Sequence, residues 1–384
     1  MSKKSLLIPG DFPPIVSGIA TYFYEIWKTF PPERFVILCP KDPEHEVFDK
    51  TSFLHIIRRK IPSEDSIKAK LFKGLLYTFW TFILNFKYKF NIIHCGQVLS
   101  SGFTGWLMNR IFNIPYIVYV YGSETFRFGR NPFLLDMIKH ILNNAYLIIP
   151  NSHFTKNEFV DIGIPEEKFL IVTPGVDTKK FCPTIKDSIL IEKHGLKNKI
   201  VLLTVARLDE RKGHDNVIIA LSKLKNQYPN LVYLIVGKGR EEAKLKTLCR
   251  QLNIEDQVIF IGYVQDNELP KYYNLCDIFI LLNRQTADDE RLRGDYEGFG
   301  IVFLEASSCG KPVIAGNYGG IADAVENGKS GYIIDGTNIS DIIETLDILL
   351  QNSYLRTELG NYGLKRVRET FDWKFKSNEI LPLI

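Results

Sequence analysis

The sequence predicts an α/β protein built from two doubly wound, parallel-sheet domains facing across a cleft. Three observations lead there. The 384-residue chain is long enough for two domains of ordinary size. Short apolar, β-branched runs alternate with helical patterns along nearly all of it, and such alternation implies crossover connections between parallel strands. A stretch rich in Pro, Gly and Lys, from Pro174 to Thr184, breaks the alternation near the middle and reads as a linker. The expected division is 1–174 and 175–369. A tail at 370–384, with Phe371, Trp373, Phe375 and Ile380, is expected to pack back on the first domain.

In the first half, strands are expected at 5–8, 34–38, 92–95, 116–121, 147–149 and 169–172, with helices that include 18–29 and 100–110. The second half repeats the theme, with strands at 200–205, 231–236, 258–261, 278–282, 312–315 and 331–333, and helices near 214–227 and 240–252. At 45% hydrophobic and 24% charged residues the composition is globular. A net charge of +4 is too small to argue for nucleic acid. The six cysteines have no CxxC spacing and sit mostly in apolar runs, so they read as reduced thiols of a cytoplasmic protein. The histidines are scattered, which argues against zinc. The run from Leu6 to Pro9 is too short for a signal peptide and reads as a first strand. The longest apolar stretch, GLLYTFWTFILNF at 74–86, falls short of the roughly 20 residues that a membrane span needs.

Five segments hold candidate chemistry. In Val205–Gly213 a strand ends and a short polar loop carries Arg207 and Lys212. Arginine offers a planar fork to phosphate oxygens and lysine a point charge; the alternative is a pair of solvated surface charges. In Glu297–Ala306, Gly298, Phe299 and Gly300 precede an apolar helix, whose start favours anions. Glu297 and Glu305 are eight residues apart, roughly 12 Å if all of it were helical. That spacing suits contacts at two ends of a nucleotide sugar better than paired acid/base work on one bond. A glycine-rich loop at 316–320 follows another strand. The loop at 9–20 places Gly18 at the first helix start, where its N–H could meet a phosphate. Tyr121-Gly122-Ser123-Glu124 follows the 116–121 strand directly.

Taken together, these residues resemble the family 4 retaining glycosyltransferases, which have the GT-B fold. The resemblance spans nearly the whole chain. Its most specific part is the E-x7-E pattern from Glu297 to Glu305, with ARLDERKG before it. The wording EGFGIVFLEA is similar to the GDP-mannose-dependent mannosyltransferase branch. The resemblance implies that Arg207 and Lys212 hold the donor diphosphate and that Glu305 binds the ribose. It implies that Glu297, with the backbone of Gly298, Phe299 and Gly300, positions the donor sugar, and that Gly18 touches the phosphate from the first domain. The base would lie near Gly237, Gly262 and Val264. The donor would be GDP-mannose or a UDP-sugar, the acceptor a glycan or lipid-linked hydroxyl, and no metal or cofactor is expected to be obligatory. Asp288, Asp289, Glu290 and Asp295 are the residues that would argue otherwise. One departure stands out: where the family has His-Gly-x-Asp/Glu, this chain has Tyr121, which cannot become a cation, ahead of Glu124, an acceptor-side candidate.

Residues 56–90 carry eight Lys and Arg against Glu64 and Asp65, with aromatics interleaved. This is either a surface for an anionic membrane or a buried helix with basic flanks. Three rival functions stay open. A dinucleotide-dependent oxidoreductase would need a third glycine where Gly237-x-Gly239-x-x-Glu242 has an acid. A non-catalytic nucleotide-sugar or glycan binder, and a phosphorylase or hydrolase, would use the same scaffold.

Overall fold

A computed structural model describes residues 4–62, 66–122, 124–125, 131–285 and 296–384. The chain forms two compact units, one of residues 1–174 and 373–384, the other of 175–372.

Unit 1 is a parallel sheet of β1 (Lys4–Ile8), β2 (Phe35–Pro40), β3 (Ile56–Arg59), β4 (Phe90–Cys95), β5 (Tyr116–Val120) and β6 (Leu147–Pro150), in the order β3-β2-β1-β4-β5-β6. The central strands are buried on both faces, which is why Leu6, Ile37, Ile93 and Val118 read as continuous apolar runs rather than an alternation. Side-chain caps start the helices: the Ser17 hydroxyl accepts from the Ala20 N–H ahead of Gly18–Trp27, and Ser66 does the same for Ala69 ahead of Ile67–Tyr88.

Two strand expectations need correction. Residues 169–172 make a single bridge, Phe169 to Ile148, and two further main-chain hydrogen bonds to β6 at 3.0 and 3.2 Å, too few for a ladder. At the opposite edge lies β3, inside the basic segment 56–90, where no strand was expected. Arg58 sits in this strand with its guanidinium buried, bonded to Asp49 at 2.8 Å and lying over the Phe12 ring. Partners nine residues upstream and further let a charged residue serve as strand core.

Helix Ile67–Tyr88 turns Gly74, Tyr77, Thr81 and Leu84 inward. Phe72, Leu75, Phe79 and Phe86 remain 51–67% exposed. The alternative of a wholly buried helix is therefore set aside. No helix among the described residues is long and apolar enough to cross a membrane.

The segment Trp373–Ile384 belongs to unit 1. Trp373 and Ile380 are buried, Trp373 meets Tyr22 edge to face, and the Leu383 carbonyl lies 3.1 Å from His94 Nε2.

Unit 2 repeats the architecture with β7 (Ile200–Val205), β8 (Leu231–Val236), β9 (Val258–Gly262), β10 (Ile278–Leu281), β11 (Val313–Gly316) and β12 (Gly331–Ile334), ordered β12-β11-β10-β7-β8-β9. Strand order reverses between β7 and β10, and open α/β sheets bind ligands outside the carboxyl ends at such a switch point. All six cysteines are free thiols.

Candidate active site

In unit 2 the switch point gathers cations and acids. β7 ends at Val205, and the loop after it carries Arg207, whose side chain is 67% exposed and lies 3.2 Å from the Asp209 carboxylate. A short 3-10 turn, Glu210–Lys212, then folds Lys212 inward until it is 8% exposed. Gly213 ends this turn at φ +69°, and a Cβ there would lie 2.3 Å from the Leu282 carbonyl, so only glycine fits. Lys212 Nζ meets the Glu297 carboxylate directly, and Arg211 Nη1 lies 3.7 Å from the same oxygen. Burial holds the Lys212 ammonium below its ordinary value. Burial opposes ionisation of Glu297 too, but the facing Lys212 and Arg211 outweigh it and keep the carboxyl below its usual range.

Glu297 is fixed from behind. Its carbonyl accepts the Gly320 N–H at 2.8 Å, and it bridges to Gly319. A Cβ on Gly319 would come within 2.2 Å of that carbonyl. The 316–320 glycine loop is thus a backing for Glu297. Glu297 itself precedes the helix, which starts at Ile301 after Gly300, so the helical rise covers only part of the spacing to Glu305. Gly298, Phe299 and Gly300 lead into that helix start, with Phe299 buried in the core.

Glu305 projects from helix Ile301–Ser308 and accepts the Tyr273 hydroxyl proton at 2.5 Å. Burial raises its carboxyl to about 7. Tyr273 lies 32 residues away in sequence and was not among the predicted site residues. A buried tyrosine in an apolar helix carries no sequence signal that it faces a carboxylate.

Gly237 and Gly262 close β8 and β9, joined by a 2.8 Å bond from the Gly237 N–H to the Gly262 carbonyl. Val264 packs on the core beside them. Cβ atoms on Gly237 and Gly239 would strike the Ala206 and Leu208 carbonyls at 1.9 and 2.4 Å. Close packing against the Arg207 loop thus accounts for both glycines of the partial G-x-G pattern.

In unit 1, Gly18 starts the first helix in open space, with nothing within 4 Å of a Cβ placed there. Tyr121 follows β5, and its N–H donates to the Glu124 carboxylate at 3.2 Å. Its phenol oxygen is buried and has no hydrogen-bond partner among the described residues. Burial raises the Glu124 carboxyl. Asp288, Asp289, Glu290 and Asp295, together with Ser123, lie outside the described residues.

The profile described as Glycosyltransferase Family 4 matches residues 16–180, and that described as Glycosyl transferases group 1 matches 187–366. The chain belongs to the family 4 glycosyltransferases. The enzyme is 26% identical, over 99% of its length and 97% of the relative's, to the GDP-mannose-dependent alpha-(1-6)-phosphatidylinositol monomannoside mannosyltransferase of Mycolicibacterium smegmatis. It is 25% identical, over 100% and 98%, to a GDP-mannose-dependent monoacylated alpha-(1-6)-phosphatidylinositol monomannoside mannosyltransferase of Corynebacterium glutamicum. Among solved structures, Anabaena HepE in complex with UDP and glucose has a TM-score of 0.80 over 99% of both chains at 19% identity, which establishes the GT-B fold. As a glycosyltransferase, this protein is not an oxidoreductase on a dinucleotide scaffold.

Proposed function

We propose that this glycosyltransferase moves mannose from GDP-mannose, with retention at the anomeric carbon, to a hydroxyl of a glycan or lipid-linked acceptor. The observation that carries the proposal is the Arg207, Lys212 and Glu297 group at the β7/β10 switch point. Arg207 and Lys212 offer positive charge where a diphosphate leaves, and preorganised charge of this kind is a large catalytic term. The C1–O bond to the diphosphate breaks as the acceptor oxygen bonds to C1 from the same face. The acceptor's proton passes to the departing phosphate oxygen. Glu297 and the N–H groups at Gly298–Gly300 orient the sugar, Glu305 takes the ribose hydroxyls, and the base lies by Gly237, Gly262 and Val264. With two cations in place, no metal is required by this scheme. Mannose and guanine rest on the names of the two full-length relatives.

Thermal unfolding with GDP, UDP and ADP, with and without EDTA, tests the donor. A binder at 100 times its Kd adds about 2.7 kcal/mol. The expected result is a GDP-selective rise in Tm that survives EDTA. A UDP-selective rise, the nucleotide found with HepE, would overturn the mannose reading and leave the transferase. A rise that EDTA abolishes would overturn metal independence.

The exposed stripe of Phe72, Leu75, Phe79 and Phe86 is flanked by exposed Lys68, Lys87 and Lys89. Phe82 and Phe86 also contact Phe112 beside exposed Arg110. An apolar stripe edged with cations suits an anionic bilayer surface, so we place the enzyme peripherally on the cytoplasmic face of a membrane. Sedimentation with phosphatidylglycerol vesicles should be strong, with neutral phosphatidylcholine vesicles weak, and Phe79→Ser/Phe86→Ser should abolish it. Equal sedimentation of wild type and variant would refute the membrane face.

A further inference from the structure

Asn283 stands at the carboxyl end of β10, two residues past Leu281 and at the β7/β10 switch point of unit 2. It is 2% exposed, and neither its Oδ1 nor its Nδ2 has a hydrogen-bond partner among the described residues. A carboxamide accepts through its oxygen and donates through its nitrogen, so both of its functions are left unmet. Buried polar groups are nearly always paired, because an unmade bond in the interior costs stability. Two other buried asparagines of unit 2 follow that rule. Asn274 accepts the Thr184 N–H at 2.8 Å and donates to the Cys182 and Pro270 carbonyls, and Asn216 donates to the Gly336 carbonyl at 2.7 Å.

The direction of this side chain follows from the strand before it. Ile278, Ile280 and Leu282 pack in the core cluster that also holds Val217, Ile218 and Leu221 of helix His214–Leu224. Phe279 and Leu281 pack on the other face of the sheet, with Phe299, Phe303 and Leu304. Alternation turns Asn283 to that second face, the side of the Glu297–Gly300 segment. Its backbone is held between the two halves of the candidate site. On one side the next residue, Arg284, donates its N–H to the Arg211 carbonyl at 3.0 Å, joining the segment to the turn that carries Lys212. On the other side a Cβ on Gly316 would lie 2.2 Å from the Asn283 carbonyl, so the start of the glycine loop behind Glu297 packs directly on it.

The two unmet atoms define the ligand chemistry. An ionised phosphate offers acceptors alone and would leave Oδ1 bare. Neighbouring hydroxyls on a sugar ring offer a donor and an acceptor together. We propose that Asn283 is a specificity residue for the donor's sugar, accepting from one ring hydroxyl through Oδ1 and donating to a second through Nδ2. This rests on the donor-site reading given above. The ligand-free protein carries the cost of a bare carboxamide, and binding of the hydroxylated sugar removes it. A site built this way rejects an analogue that lacks the hydroxyl, because the buried amide is then left unpaired again.

The test pairs calorimetric titration with thermal unfolding of the full chain. GDP, GDP-mannose and the 2-, 3- and 4-deoxy forms of GDP-mannose are titrated into wild type, Asn283→Leu and Asn283→Ala. Both variants should keep GDP affinity within twofold and lose about 10- to 100-fold for GDP-mannose, the scale of two hydrogen bonds. At least one deoxy donor should bind wild type more weakly than GDP-mannose and bind the variants no worse than GDP-mannose does, which a thermodynamic cycle reads as direct coupling. Asn283→Leu should also raise the Tm of the ligand-free protein, since it removes an unpaired buried amide at similar volume. A lowered Tm with GDP and GDP-mannose weakened alike would mark a structural residue and overturn the proposal. So would a GDP-mannose affinity that both variants retain. Absence of GDP binding strikes the donor reading alone, and the same comparison then runs on UDP and UDP-glucose, with the same outcomes deciding the role of Asn283.

Discussion

Nucleotide affinity should rise as pH is raised through about 7, because the ribose contact proposed for Glu305 requires an ionised carboxylate to accept the hydroxyl hydrogen bonds. Burial raises this carboxyl from its ordinary value near 4.5 to about 7, and the Tyr273 hydroxyl donates to it. Below that point the free enzyme carries a neutral acid, and binding must first expel a proton. The dependence approaches tenfold in Kd per pH unit on the acid side and flattens above it. Stability of the ligand-free protein runs the other way. The folded chain holds a proton that the unfolded chain has already released, so stability falls as pH rises from the ordinary carboxyl value to about 7. Calorimetric titration of GDP at pH 6 and pH 8, beside unfolding curves at the same pH values, reads both trends. Glu305→Gln should flatten both and weaken binding by about 10- to 100-fold, the scale of a lost charge-assisted hydrogen bond. A wild-type Kd that ignores pH would remove Glu305 from the ribose site.

Lys212→Met should lower kcat by about 10²- to 10³-fold, the usual cost of losing one group that stabilises developing charge. The side chain is buried and ion-paired with Glu297, so its position is set before any donor arrives. The partner substitution separates the roles. Glu297→Ala should cut turnover more than GDP affinity, because the role proposed for Glu297 is at the sugar and not the nucleotide. It also leaves the Lys212 ammonium buried with Arg211 nearby, which typically costs about 3–5 kcal/mol. Assays therefore need to run well below the variant's lowered Tm. Retention of wild-type turnover by both variants would discard the site.

The two sheets were legible in the sequence because their strands are buried on both faces and so read as unbroken apolar runs bounded by Gly, Pro and Asp. The loops of the proposed donor site stood out in the sequence because glycine and charge cluster where strands end. What the pattern missed depends on distant partners. Edge strand β3 lay in a basic flank, and distant partners, Asp49, Phe12 and the Pro13 and Pro40 carbonyls, make Arg58 a core residue. The pairing of Lys212 with Glu297 spans 85 residues, and Tyr273 meets Glu305 across 32. Least visible of all was the unit 1 cavity at the β1/β4 switch point, whose wall takes Lys70 and Lys73 from helix Ile67–Tyr88 and Lys41, Asp11 and Glu124 from strand ends.

The return of residues 373–384 to unit 1 sets an order of assembly. Residues 175–372 form one uninterrupted stretch, so unit 2 can close as soon as that stretch has left the ribosome. Unit 1 is split: its first 174 residues emerge early, whereas residues 373–384, which pack on Tyr22 and give His94 a main-chain partner, follow unit 2. The half of the enzyme made first is thus the half finished last. Nicking the chain after Asp372 would leave every donor residue on unit 2 covalently intact while stripping the cover from its neighbour.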